Sequence, residues 1–293
     1  DRLAGRDAMV RAVALNVALL ALIAAMWTSA SALTIVCAGL LGTTIAWHGL
    51  ALVRASSDAL GGRHAPLLRF SVAASALFVV GCVIAGFLTV ALLDPAAPAW
   101  LLGARDELTL AHAIVMVGGW LGLTIAGTLV TLGPTVLRTR MDPEASATAV
   151  RGLPWLVASV SGAGTAAAAG WMALAGGLLA AYGLGLAAWI GLPLARVVLA
   201  KSPREHAAWT LVGGVAWVGA GLLLVSALIA RTPDASAARD AVMSWIPLVG
   251  VAGLAQIFIG ALSYLLPVVF GGGPATVRHG IAGKSTRTGT ISI

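Results

Sequence analysis

Residues 152–200 read GLPWLVASVSGAGTAAAAGWMALAGGLLAAYGLGLAAWIGLPLARVVLA, with Arg196 as the one charge. A run this apolar on every side is helical, because lipid offers no partner to an open strand edge. As a single helix it would extend about 73 Å at 1.5 Å per residue, and a bilayer core is only about 30 Å thick. The run therefore folds back on itself. Ala175-Gly176-Gly177 is the expected turn, with one span on each side.

The rest of the chain follows the same pattern. Its 293 residues are 59% hydrophobic and 10% charged, and the mean hydropathy is +0.97. Soluble domains carry about 25% charged residues, and disorder needs high charge with low hydrophobicity, so both are excluded. Eight apolar segments emerge: 11–27, 32–53, 70–93, 108–137, 153–173, 177–199, 208–229 and 242–270. The expected fold is an all-α integral membrane bundle of about eight transmembrane helices, forming a single domain over residues 1–279. Loops are short, and the tail 280–293 is expected to be flexible and basic. Asp1 stands first in place of Met, so the chain is expected to be a fragment of a longer product. No signal-peptide pattern precedes the first span.

Charge orients the bundle. Cytoplasmic N- and C-termini put fifteen cations inside: Arg2, Arg6, Arg11, Arg54, Arg63, Arg69, Arg138, Arg140, Arg151, Arg196, Lys201, Arg204, Arg278, Lys284 and Arg287. Only Arg105, Arg231 and Arg239 fall outside. That asymmetry is the positive-inside pattern. It makes the expected location a multi-pass cell membrane, of bacterial plasma-membrane type, and accounts for the net charge of +7 without a nucleic-acid partner. Trp27, Trp100, Trp155, Trp171, Trp209 and Trp245 lie near span ends, where interfacial anchors belong.

No Asp, Glu, Lys or Arg occupies the middle of a span. This argues against a proton pump, a carboxylate-coupled transporter, a voltage sensor and a retinal protein. The polar residues left at membrane depth are Asn16, His48, His112, Gln256 and Tyr264, with scattered Ser and Thr. Asn16, His48 and Tyr264 share a depth near the inner surface, where they would form a heme ligand set, a quinone contact or an interhelical clamp. His112 belongs near the outer end of its span, on the order of 15 Å or more from His48 by helical rise. The two cannot then ligate one heme, so each would need another partner, such as Met26 or Met116 for His112. Gln256, near mid-bilayer, needs a partner such as a backbone carbonyl. His64, His206 and His279 are expected in solvated loops or tail. Gly133-Pro134, Pro267 and Gly271-Gly272-Gly273-Pro274 read as helix stops, and Cys37 and Cys82 as inert thiols within spans. No phosphate loop, metal motif or complete catalytic constellation is present in the sequence.

Three stretches carry a family resemblance. One runs from Ala111-His112-Ala113 through Gly119-Trp120-Leu121-Gly122-Leu123-Thr124 and Gly127-Thr128-Leu129 to Pro134-Thr135-Val136-Leu137-Arg138-Thr139-Arg140-Met141. Another begins at Gln256 and continues with Gly260-Ala261-Leu262-Ser263-Tyr264-Leu265-Leu266-Pro267 and Gly271-Gly272-Gly273-Pro274. The third is Trp47-His48-Gly49-Leu50-Ala51-Leu52-Val53-Arg54. Together they resemble the polytopic N-terminal membrane region of actinobacterial copper oxidases of the nitrite-reductase type, which is distantly similar to subunit I of heme-copper oxidases. The resemblance implies a membrane domain that anchors a respiratory copper enzyme or relays electrons from quinol, with heme b on His48 or His112. Copper would reside in a partner or fused cupredoxin domain. Two membrane histidines are too few for a complete oxidase centre. A permease for small neutral solutes and a cofactor-free structural subunit are the alternative readings.

The span order is open to direct test. A cysteine at Glu144 should react with an impermeant thiol reagent from one side only, and a cysteine at Ala104 from the other. Labelling of both from the same side would break the eight-span order.

Overall fold

The computed structural model describes residues 2–58, 65–139, 143–200 and 205–270. Those residues form helices and connecting turns, with no strand among them. The long helices are α1 (Arg2–Trp27), α2 (Ser31–Asp58) and α3 (Ala65–Leu93). After the short α4 (Ala99–Gly103) come α5 (Arg105–Val136), α6 (Pro143–Ala168), α7 (Met172–Ala200) and α8 (His206–Arg231). The short α9 (Ala235–Met243) precedes α10 (Leu248–Val269). Seven of these helices are long and apolar enough to cross a membrane, so the protein is an all-α membrane bundle. The eighth long helix, α6, is rich in Ala, Ser, Gly and Thr and is not among the seven. His64, His279, residues 271–274 and the tail 280–293 lie outside the described residues.

The long apolar run does fold back, but not where its glycines suggest. The corner is Ala169-Gly170-Trp171, and α7 continues unbroken through Ala175-Gly176-Gly177. Gly170 has φ +77°, the left-handed conformation that glycine enters without penalty. Its N–H donates to Ala167 O at 3.0 Å, and the Trp171 N–H reaches Ala166 O at 2.8 Å. These two bonds close the helix end as a Schellman cap. The same bond pattern ends α1 at Ser29 and α5 at Arg138, both also at positive φ. Gly176 has a different task. A Cβ there would lie 2.5 Å from Ser226 O and Ala230 N of α8, so its bare backbone lets α7 and α8 touch.

One other span limit shifts. The last span begins at Leu248, because residues 242 and 243 end α9, a short helix across the end of the bundle. Asp234 caps α9 by accepting from the Ala237 N–H at 2.8 Å. Arg239 then pairs with Asp106 at the start of α5. At the opposite end Arg138 pairs with Glu205 at 3.1 Å.

Packing follows the chain order with one central knot. α1 packs on α2, and α2 on α3. The helices α3, α5 and α6 pack against one another in the middle, followed by α7, α8 and α10. Ala149, Leu156, Val160, Ala163 and Ala167 of α6 are fully buried. They recur at helical spacing along one face. Shielded along this face, α6 needs less lipid-compatible surface than a helix standing alone in the bilayer.

Alanine substitutions separate the two glycine roles. Gly176→Ala should destabilise the protein by about 1–3 kcal/mol through overpacking. Gly177→Ala faces open space and should be neutral or slightly stabilising. Thermal unfolding in detergent measures both, and equal losses would contradict the corner at Gly170.

Candidate functional site

The candidate site is built around a stretch of α5 that departs from α-helical register. Residues Ile114–Gly122 are π-helical, as are Ala187–Gly191 of α7 and Leu248–Ala255 of α10. π-Helical turns are rare and concentrate at functional sites. In α7 a local cause is visible. Pro193 has no N–H for the Trp189 carbonyl, and the Leu192 N–H reaches back five residues to Ala187 O.

One side of the α5 segment faces α3. Gly81 lies near the middle of α3, and a Cβ there would lie 2.3 Å from Met116 Sδ. The missing side chain therefore makes room for the thioether. One turn earlier on α5, His112 Nδ1 lies 3.1 Å from the Gly81 carbonyl oxygen. A carbonyl only accepts, so Nδ1 carries the proton and Nε2 holds the free lone pair. One turn beyond Met116, Trp120 meets Phe78 edge to face at 4.8 Å. Gly119 takes Leu77 in the same seam.

The other side is held by a residue that the sequence reading left unassigned. Tyr182 of α7 is 1% exposed, and its hydroxyl donates to the Gly118 carbonyl at 2.6 Å. The Leu123 N–H donates to Gly119 O, which returns the ladder to four-residue spacing. Gly118 O lies at that change of register, on the segment where the ladder passes from five-residue to four-residue spacing. The Tyr182 hydroxyl occupies the space a Gly122 Cβ would need, at 2.7 Å. Gly118 similarly admits Val160 of α6, at 3.0 Å from its missing Cβ. Two signals pointed here: the Gly118/Gly122 pair of small residues, and a tyrosine in a span of Gly, Ala and Leu whose hydroxyl must find an acceptor.

The other expected site residues do not join this centre. Asn16 is exposed on α1 and donates to Ala12 O of its own helix at 2.7 Å. His48 is exposed on α2, beside Gly49, which meets Ser75 of α3. Gly81 lies about six residues further along α3, ~9 Å of rise. The depth gap between the histidines is thus smaller than expected, because His112 reaches the middle of α3 rather than its outer end. Tyr264 packs with Val136, Ala207, Leu211 and Ile257 of α5, α8 and α10. It does not meet Asn16 or His48, whose helices pack at the other side of the bundle. Gln256 starts the α-helical part of α10. Its amide lies over Gly213 of α8, with Nε2 3.2 Å from the missing Cβ. His206 lies at the start of α8, with Nε2 3.3 Å from Thr210 Oγ1.

Among the described residues, no three of His, Cys, Asp and Glu converge as metal ligands. No family model, curated protein or solved structure matches the chain.

The Tyr182 bond can be isolated by a single oxygen. Tyr182→Phe should cost about 1–3 kcal/mol, the penalty for leaving a buried carbonyl without its donor. Tyr264→Phe should change stability by less. Unfolding curves of the two variants decide, and an equal effect would remove the special status of the Gly118 carbonyl.

Proposed function

We propose that the chain is the membrane-anchoring domain of a respiratory assembly of copper-oxidase or nitrite-reductase type, acting as a scaffold. The observation that carries the scaffold reading is where the polar side chains of the spans direct their bonds. Thr44, Ser75, Thr89, Thr124, Thr128 and Ser226 each donate to the carbonyl one turn back in their own helix. Tyr182 and His112 are committed to carbonyls of neighbouring helices. The six hydroxyl donors are spent within their own helices, Tyr182 and His112 tie neighbouring helices together, and none of these donors is left to line a polar path. This supports an anchor over a permease for neutral solutes. The copper chemistry of the partner rests on the resemblance of the His112–Met141, Gln256–Pro274 and Trp47–Arg54 stretches.

The electron-relay version has one observation in its favour. Protonation at Nδ1, held by a backbone carbonyl, is the arrangement that frees Nε2 of a histidine to bind a metal. His112 therefore fits a single axial position of a heme. Met116 cannot supply the opposite one, because residues four apart project from the same helix face about 6 Å from each other. His48 is separated from His112 both in depth and by its place on α2. A heme ligated by both histidines does not fit this arrangement, which favours the anchor.

The visible spectrum and metal content of the purified chain test the choice. The anchor reading expects no Soret band and neither iron nor copper in stoichiometric amount. It also expects a copper-containing partner to co-purify from the native membrane. A Soret band that is lost in His112→Ala would replace the anchor with the relay. Flux of a neutral solute into liposomes carrying the chain would replace both.

A further inference from the structure

We propose that the cleft between α5, α6 and the C-terminal part of α7 is a binding site for an anionic phospholipid, with an acyl chain in the cleft and the headgroup phosphate at Arg196. Ten residues line this cleft and all are apolar. It runs from Leu129 and Trp189 within the spans to Leu137 and Val197 at the helix ends. The eight helical steps from Leu129 to Leu137 give it a length of about 12 Å. Two prolines shape it. Pro134 of α5 and Pro193 of α7 both belong to the lining, and each interrupts the backbone ladder of its helix. The π-helical turn at Ala187–Gly191 carries Trp189 and Ile190 of the same wall.

An apolar slot within a membrane takes a chain of methylenes. What selects the headgroup is the charge at its mouth. Arg196 is exposed and lies one turn beyond Pro193 and beside Val197, so it borders the lining on the same helix. It has no ion-pair partner among the described residues. Arg138 follows Leu137 of the lining and is held by Glu205. Arg151 of α6 is exposed at the same end, with its guanidinium on Ala147 O and Thr148 Oγ1. The cleft thus opens at the cationic end of the bundle, next to a guanidinium that forms no ion pair among the described residues, while Glu144 stands beside Ala145 of the facing wall. A phosphate diester joined to an acyl chain satisfies both features; phosphatidylcholine carries the same diester but cancels its charge with a choline cation, which a lone guanidinium repels, so a net anionic headgroup is preferred.

Native mass spectrometry of the full chain, titrated with phosphatidylglycerol or phosphatidylcholine, tests this. Phosphatidylglycerol should bind in preference. Arg196→Gln should weaken it about five-fold, the worth of one basic residue at an anionic headgroup, and leave phosphatidylcholine unchanged. Arg69→Gln removes an exposed arginine on α3, away from the cleft, and should leave the preference intact. Ala145→Phe, which fills the cleft, should weaken both lipids. If that variant does not fold, the two arginine variants still decide. Equal losses from Arg196→Gln and Arg69→Gln would reduce the effect to general surface charge and overturn the site. So would wild-type binding that does not distinguish the two lipids.

Discussion

The bundle depends on bare backbone at the points where helices cross. Lipid supplies no hydrophobic drive between helices, so association has to come from close packing and interhelical bonds. The α8–α10 seam shows the geometry. Gly214 and Gly221 of α8 receive Ile257 and Val249, while Gly253 and Gly260 of α10 receive Val218 and Leu211. Each missing Cβ would otherwise fall within 3 Å of its neighbour. Gly176 does the same between α7 and α8, and Gly81 and Gly119 between α3 and α5. Such contacts hold one helix at a fixed height and rotation on the next, which is why His112 meets a single carbonyl of α3.

Polar satisfaction is the second constraint and follows from the first. Once helices lie this close, an unpaired carbonyl cannot reach water and must be served by protein. At the change of register in α5, the Gly118 carbonyl accepts from a tyrosine two helices on. Bonds of this kind fix which helix neighbours which.

The architecture was legible in the sequence because both of its signals are strong and redundant. Apolar length gave the spans, and the distribution of arginines gave their alternation. The pairing of Arg239 with Asp106 at one end, and of Arg138 with Glu205 at the other, agrees with that alternation. The corner of the long run was misplaced because glycine serves two purposes and composition does not distinguish them. Trp171, read as an interfacial residue, was the better marker of the turn and is 63% exposed there. The site was less legible. Asn16, His48 and Tyr264 were grouped by depth alone, but equal depth says nothing of lateral position, and α10 packs on α8, far from α1 and α2 in the order of contacts. Tyr182 escaped notice because its significance depends on a π-helical turn sixty residues away.

One long helix, α6, falls short of the apolarity of the other spans and buries a continuous face against its neighbours, and this bears on how the chain enters the bilayer. A segment that partitions weakly on its own leaves the translocon only with help from companions that will shield it. For α6 those companions are α3 and α5, made earlier, and α7, made just after. Biogenesis therefore has a required order: the ribosome must deliver α7 while α6 is still held beside α5. A pause or truncation between Ala168 and Met172 would leave α6 without one of its walls, and quality control would meet the protein there first.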